Sequence, residues 1–477
     1  MNATQRSERE FRRAVLSAFS AWTKREGLKW CVLHQHDQLD GSWETDIDLC
    51  VDPEVIQRGA ELAEHFWALG FTPVLGYLTG VDNLILTLAR TSGADLFTAK
   101  LDLTVDVCFG GVWTVLSGQD VLMDSVPDGE FPLSSPLHRY AYSLTKRLYK
   151  GGASEAQRAR LARMRVELGP RAKAVSAFYL GDRLGAAVDR AVEAPKGNTF
   201  SAVAGSGYRA MKVRCALRSP VGVAHNAAAE GRRLFQRLRH PAGISFAVLG
   251  PDGSGKSTLL DGLADALSAS FHAYRRGHTR PGLLPPLSSL TRRQHGEAIG
   301  DDGGRRANAS PAGASIAKVL YYGADYWLGH VLRLYPTVVR AGVVVFDRYH
   351  PDWVVDPLRW RLSLHPRLLA WAQRVLPSLD YWIVLDQPPE LTQSRRQEVS
   401  PAETRRQRQA YLDFSRRDSR CRAARGLGQS LEIDASGGAK EVLQRTLEAL
   451  VTEQGLRVMG QLRQLDLDSM RSAGAAR

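Results

Sequence analysis

The string Gly250-Pro-Asp-Gly-Ser-Gly-Lys-Ser257 constrains this 477-residue chain more than any other feature. It satisfies GxxxxGK[ST], follows the apolar run Ile244–Leu249, and opens a stretch with Leu259, Leu263 and Leu267 at helical spacing. Glycines at these positions let successive backbone N–H groups curl round a phosphate, and the N-terminus of the following helix adds its positive end. The pattern predicts a strand, a phosphate-cradling loop of Gly250, Pro251, Asp252, Gly253, Ser254 and Gly255, and a helix that begins with Lys256, Ser257 and Thr258. Lys256 is the candidate for the β- and γ-phosphates of a nucleoside triphosphate and Ser257 for a magnesium ion, so ATP and Mg2+ are the expected cofactors.

The surrounding text supplies the sheet that such a loop needs. From Ala242 onward, short apolar runs (Ile244–Leu249, Val343–Phe346, Tyr381–Leu385, Leu431–Ile433) alternate with helical stretches such as Val319–Arg340. That alternation predicts an α/β fold, a doubly wound parallel sheet over about residues 242–455. The runs are followed directly by Gly250, Asp347, Asp386 and Asp434. Polar groups therefore gather at the carboxyl edge of the sheet, where doubly wound folds bind ligands. Residues 285–315, rich in Pro, Gly and Ser without period, read as an insertion, and 456–477 as a tail.

The ordered set of motifs across about residues 244–450 resembles the thymidylate kinase family of nucleoside monophosphate kinases. Asp252 sits inside the loop, where that family places a carboxylate for the acceptor's sugar. Val343-Val-Val-Phe-Asp-Arg-Tyr349 is similar to its Asp-Arg-Tyr strand, and Tyr381-Trp-Ile-Val-Leu-Asp-Gln-Pro-Pro-Glu390 to its Leu-Asp and Pro-Pro-Glu segment. Ser394-Arg-Arg-Gln-Glu398 is similar to the start of its Arg-bearing lid. The resemblance implies transfer of the γ-phosphate of ATP to a nucleoside monophosphate or a similar phosphorylated acceptor. It assigns catalysis to Lys256, Arg348 and the lid residues Arg395 and Arg396, with Arg405 and Arg406 further along. Magnesium falls to Ser257 and Asp347, and the acceptor to Asp252, Arg280, Tyr326 and Arg348. Two departures concern the acceptor. The family's Arg-Glu-Pro-Gly segment reads His278-Thr-Arg-Pro-Gly282 here, and its Asp-Arg or Asn-Arg pair reads Asp325-Tyr326, without the Arg that would read thymine.

The N-terminal region, residues 1–133, reads as a smaller α/β unit: an amphipathic helix over 5–26, a helix Pro53–Leu69, and strands Trp30–Leu33, Ile47–Val51, Thr72–Tyr77, Leu84–Ala89 and Leu101–Val107. Alternation puts Asp46 and Asp48 on one face of a strand, and Asp102 and Asp106 on one face of another. This arrangement resembles the nucleotidyltransferase superfamily, which implies a two-metal site at Asp46, Asp48 and Asp102. The superfamily's Gly-Ser element ahead of the acidic pair is replaced by Leu33-His-Gln-His-Asp37, in which His34 and His36 are further candidate ligands. Exposed acids on a half-buried strand are the alternative, and a non-catalytic, ATP-sensing binding protein is a third reading of the whole chain.

Between the two regions, residues 134–241 read as a helical connector broken by Gly and Ser around 197–207. The chain's net charge of +13 is concentrated there, since residues 151–240 hold 17 Lys and Arg against 6 Asp and Glu. Such a stretch is a candidate surface for nucleic acid or an anionic membrane, the alternative being a solvated helical face. With 44% hydrophobic and 24% charged residues the composition excludes collagen, a coiled-coil rod and wholesale disorder. No run is long and apolar enough to span a bilayer and no secretory leader is visible, so a cytoplasmic protein is expected, with a homodimer as a candidate assembly. Five scattered cysteines without a CxxC predict reduced thiols.

Overall fold

The computed structural model describes residues 3–34, 39–42, 46–80, 83–194, 199–268, 270–287, 310–395, 400–423 and 428–465. They form two compact units. The first takes Met1–Arg90, Phe97–His240 and Gln454–Arg477, and the second takes Pro241–Glu453 with Thr91–Leu96.

The first unit is built on a mixed sheet of β1 (Trp30–Val32), β2 (Ile47–Val51), β3 (Thr72–Gly80), β4 (Asn83–Ser92), β5 (Asp95–Thr104), β8 (Val126–Asp128) and β9 (Phe131–Leu133), in the order β3-β4-β5-β2-β1-β9-β8. A separate hairpin joins β6 (Val107–Phe109) to β7 (Trp113–Leu116). Strand β2 is buried at every position, and it runs parallel to β5 with Asp48 opposite Asp102. The expected strand through Val107 stops at Thr104, and Asp106 instead accepts a hydrogen bond from the Gly118 amide at 2.8 Å.

The helices of residues 134–240 pack on this sheet. Tyr140, Leu144, Leu148, Tyr179, Phe200 and Met211 share one core with Cys31 and Cys50 of the strands. The helix Pro136–Tyr149 starts where Ser135 accepts from the His138 amide, with Pro136 in the first turn. Gly181, at φ +82°, divides the helix Pro170–Leu180 from Asp182–Glu193. The break expected at 197–207 is absent over its described part, because one helix, Thr199–Arg218, runs through Gly205 and Gly207. At Gly207 a Cβ would lie 2.8 Å from Leu148, so the glycine is what lets the two helices approach.

The second unit is a five-stranded parallel sheet of β10 (Ile244–Leu249), β11 (Tyr274–His278), β12 (Val343–Asp347), β13 (Tyr381–Asp386) and β14 (Gln429–Asp434), in the order β11-β12-β10-β13-β14. Its α/β character and parallel pairing follow the sequence reading. Strand β11 was not expected; it lies at the sheet edge and exposes Arg275 and Arg276, so it carries no apolar run. The helix expected over Val319–Arg340 begins at Ala312 and passes through a π-helical turn at His330–Leu334 before Tyr335–Val339.

The last helix, Ala439–Gln464, crosses the expected boundary at 455 without a break, and Val458, Met459 and Leu462 are buried in the core of the first unit. Residues 456–465 are therefore structural, and the rest of the expected tail lies outside the described residues, as does most of the expected insertion. Among the described residues no helix is long and apolar enough to cross a membrane. Cys31, Cys50, Cys108 and Cys215 are free thiols.

Candidate active sites

In the second unit, β10 delivers the chain into the Gly250–Gly255 loop, and the helix Lys256–Ser268 leaves it. Gly253 (φ +86°) and Gly255 (φ +85°) occupy the left-handed region that a side chain would strain, which is why the loop can turn its amides inward. Lys256 is buried and donates to the carbonyls of Gly250 at 3.1 Å and Pro251 at 2.7 Å. Burial, and then the nearby Arg348 guanidinium, push its ammonium down to about 7. A polyanion against the loop would restore that proton.

The neighbouring strand supplies the complement. Asp347 ends β12, and its Oδ2 accepts a hydrogen bond from Ser257 Oγ at 3.4 Å. Its Oδ1 is buried and, among the described residues, has no hydrogen-bond partner. A hydroxyl and a carboxylate with an unused oxygen are hard donors that fit magnesium. Arg348 follows with φ +69°, an uncommon conformation for a side-chain-bearing residue, and it is held by its amide to the Val248 carbonyl at 3.0 Å. Its guanidinium ion-pairs with Asp252 of the loop and with Asp352 at 2.9 Å, and it donates a hydrogen bond to the Tyr411 hydroxyl at 2.7 Å. Tyr411 in turn donates to Asp352 at 2.7 Å, and Arg359 donates to the other oxygen of Asp252 at 2.5 Å.

A cavity of about 600 Å³ opens over this group, lined by the loop, Asp347, Arg348 and Arg359, with His278 and Ala435 at its margins. Thus Gly253, Ser254, Gly255, Lys256, Ser257, Thr258, Asp252, Asp347 and Arg348 are brought together there. Two acceptor candidates are not. Arg280 is tied to the fully buried Asp325 at 2.9 Å and to the Leu284 carbonyl at 2.8 Å, while the amides of Gly282 and Leu284 also bind Asp325. This pair pins the turn after β11. Tyr326 is wholly buried among Tyr349, His350 and Trp353, and its hydroxyl is spent on the Thr279 carbonyl at 2.5 Å. Of the lid residues, Arg406 pairs with Glu403 at 2.6 Å and Arg405 is exposed. Arg396 and the side chain of Arg395 lie outside the described residues.

In the first unit, carboxylate oxygens of Asp46, Asp48 and Asp102 all lie within 4.8 Å of one another. Burial, then the charges of Asp48 and Asp46, push Asp102 up to about 7. Lys146, from the helix Pro136–Tyr149, donates to Asp48 at 2.6 Å and to the Tyr142 hydroxyl at 3.0 Å. Asn83 donates to Asp102 at 3.1 Å. Three convergent carboxylates, one of them resisting ionisation, fit a hard divalent cation whose charge would relieve that resistance. His36 lies outside the described residues.

Sequence reasoning did not find Arg359, Asp352, Tyr411, Lys146 or Asn83. The only local signals were the four-residue spacings of Arg348 with Asp352 and of Tyr142 with Lys146, which place each pair on one turn of chain. Arg359 meets Asp252, and Asn83 meets Asp102, through tertiary structure alone.

No protein-family model matches the chain, and no curated protein is significantly similar to it. Among solved structures, the thymidylate kinase from Ehrlichia chaffeensis is similar at 15% identity, covering 44% of this chain and 100% of its own, with a TM-score of 0.30. A likeness this slight decides neither fold nor chemistry, and both rest on the geometry above.

Proposed function

We propose that the second unit is an ATP- and magnesium-dependent phosphotransferase that moves the γ-phosphate to a nucleoside monophosphate or a similar phosphorylated acceptor. The observation that carries the reading is the convergence of Lys256, Ser257, Asp347 and Arg348 on one cavity at the carboxyl edge of a parallel sheet. Phosphoryl transfer asks the protein chiefly to align its reactants and to place fixed positive charge around oxygens that are already anionic. The loop amides and Lys256 would hold the β- and γ-phosphates, with Lys256 turning from the Gly250 and Pro251 carbonyls. Ser257 and Asp347 would hold magnesium, which when bound neutralises charge on the phosphate oxygens. Arg348 and Arg359, fixed by their ion pairs with Asp252, would offer guanidinium N–H donors to an acceptor phosphate at the edge of the cavity.

The test is transfer of labelled γ-phosphate from ATP to a panel of nucleoside monophosphates. Transfer to one acceptor, lost in Lys256→Ala and retained in Asp46→Asn, is the expected result. ATP binding with no labelled product across the panel and a wider set of sugar phosphates would leave a nucleotide-sensing module instead.

The cluster of Asp46, Asp48 and Asp102 favours a second activity in the first unit, metal-dependent nucleotidyl transfer. A divalent cation held there would neutralise a triphosphate, and Lys146 beside it would orient Asp48. Pyrophosphate release that requires Asp46 and Asp48 but not Lys256 supports this reading. Release unaffected by Asp46→Asn removes it.

A further inference from the structure

From Thr199 to His240 the chain carries eight Lys and Arg and a single carboxylate, Glu230, which is already paired with Arg233 at 2.6 Å. The helix Thr199–Arg218 buries Phe200, Ala204, Gly207, Met211 and Cys215 against the first unit. Its opposite face leaves Val213 58% and Leu217 78% exposed, and Val221, in the first turn of the helix Pro220–Arg239, is 80% exposed. Val213 and Leu217 share a shallow groove with Arg209, Arg214 and Arg218. The arginines are held in place: the Arg218 guanidinium lies 3.5 Å from the centre of the Phe178 ring and donates to the Phe178 carbonyl at 2.6 Å. Arg214 reaches the same carbonyl at 3.5 Å.

We infer that this face docks on an anionic lipid bilayer, with Val213 and Leu217 entering the acyl boundary and the arginines meeting lipid phosphates. The charge calls for a polyanion, and the aliphatic side chains between the cations choose which one. Nucleic acid would use the cations and leave Val213 and Leu217 against water or phosphate, where they contribute nothing. A second copy of the face would set like charges against each other, and two aliphatic side chains fall far short of the roughly 800 Å² per partner that a stable pair buries. A bilayer takes both parts of the pattern at once, apolar side chains below the headgroups and guanidinium groups among them.

The experiment is co-sedimentation of the full chain with vesicles of phosphatidylcholine alone and of phosphatidylcholine mixed with phosphatidylserine. Binding is expected only to the mixed vesicles. Each of Arg209→Gln and Arg214→Gln should weaken it about fivefold, and Leu217→Asp more than tenfold. Val213→Asp should act in the same direction and guards against a folding defect confined to Leu217→Asp; unchanged far-ultraviolet dichroism identifies the variants that count. The proposal is overturned if the mixed vesicles bring down no more protein than phosphatidylcholine does. It is equally overturned if the arginine variants weaken binding while Leu217→Asp and Val213→Asp do not, or if duplex DNA displaces the vesicles and binds both aspartate variants as well as it binds the wild type.

Discussion

Asp102 keeps its proton to about pH 7 because burial, then the carboxylates of Asp48 and Asp46, oppose its ionisation. Its ordinary value is 3.8, so between these two points the folded chain holds a proton that the unfolded chain has lost. Stability must therefore fall as pH rises across that window and level off above it. Asp102→Asn removes the slope. It should stabilise the first unit by about 2 kcal/mol near pH 8 and by almost nothing near pH 3. Urea unfolding at the two pH values checks this, and an equal gain at both would show that the acid ionises normally. At the other site the energetic centre is Arg348, packed out of water with Asp352 and Tyr411. Arg348→Met would leave Asp352 buried without its cation, a loss of about 3–5 kcal/mol. Tyr411→Phe keeps the ion pair and loses only hydroxyl bonds, about 1–2 kcal/mol. Equal shifts in urea midpoint for the two variants would mean that the hydroxyl, and not the charge pair, organises the cluster.

The elements that sequence reasoning placed correctly are those whose own residues carry the signal. Strands β10, β12 and β13 read as apolar runs because they are buried along nearly their whole length, and the loop between β10 and its helix announces itself by spacing alone. Strand β11 gave no such signal, since as an edge strand it needs burial on neither Arg275 nor Arg276. Gly205 and Gly207 argued for a helix break, and the contact of Gly207 with Leu148 outweighs their propensity. Arg359 on Asp252 and Lys146 on Asp48 lie 107 and 98 residues from their partners, a separation that no local pattern encodes. The final helix is the same case on a larger scale. Residues 456–477 read as a tail, yet Val458 and Leu462 close against Gly76 of β3 and belong to the first unit's core. Leu462→Ala should therefore cost the first unit about 2–4 kcal/mol, read from its denaturant midpoint. A change within a few tenths of a kcal/mol would mean that this end of the helix is dispensable after all.

At the scale of the molecule, the chain combines two units with two separate charged centres, one of converging carboxylates at Asp46, Asp48 and Asp102 and one in which Lys256, Arg348 and Arg359 meet the carboxylates of Asp252, Asp347 and Asp352. Each has a core of its own, so each is expected to unfold as its own cooperative step. A ligand that binds only the folded form of one unit raises that step by mass action, by about 2.7 kcal/mol at a hundredfold excess over Kd. For units of this size that corresponds to a shift of about 5 °C or more. Calorimetry of the full chain should accordingly show two transitions. A non-hydrolysable ATP analogue should raise one of them and lose its effect in Lys256→Ala, and manganese alone should raise the other and lose its effect in Asp46→Asn. Each variant should leave the other ligand's shift intact, because neither substitution touches the opposite site. If the analogue and manganese instead moved a single transition, and either variant abolished both shifts, the two sites would be thermodynamically one, and the kinase and nucleotidyl-transfer readings would have to be merged into one reaction.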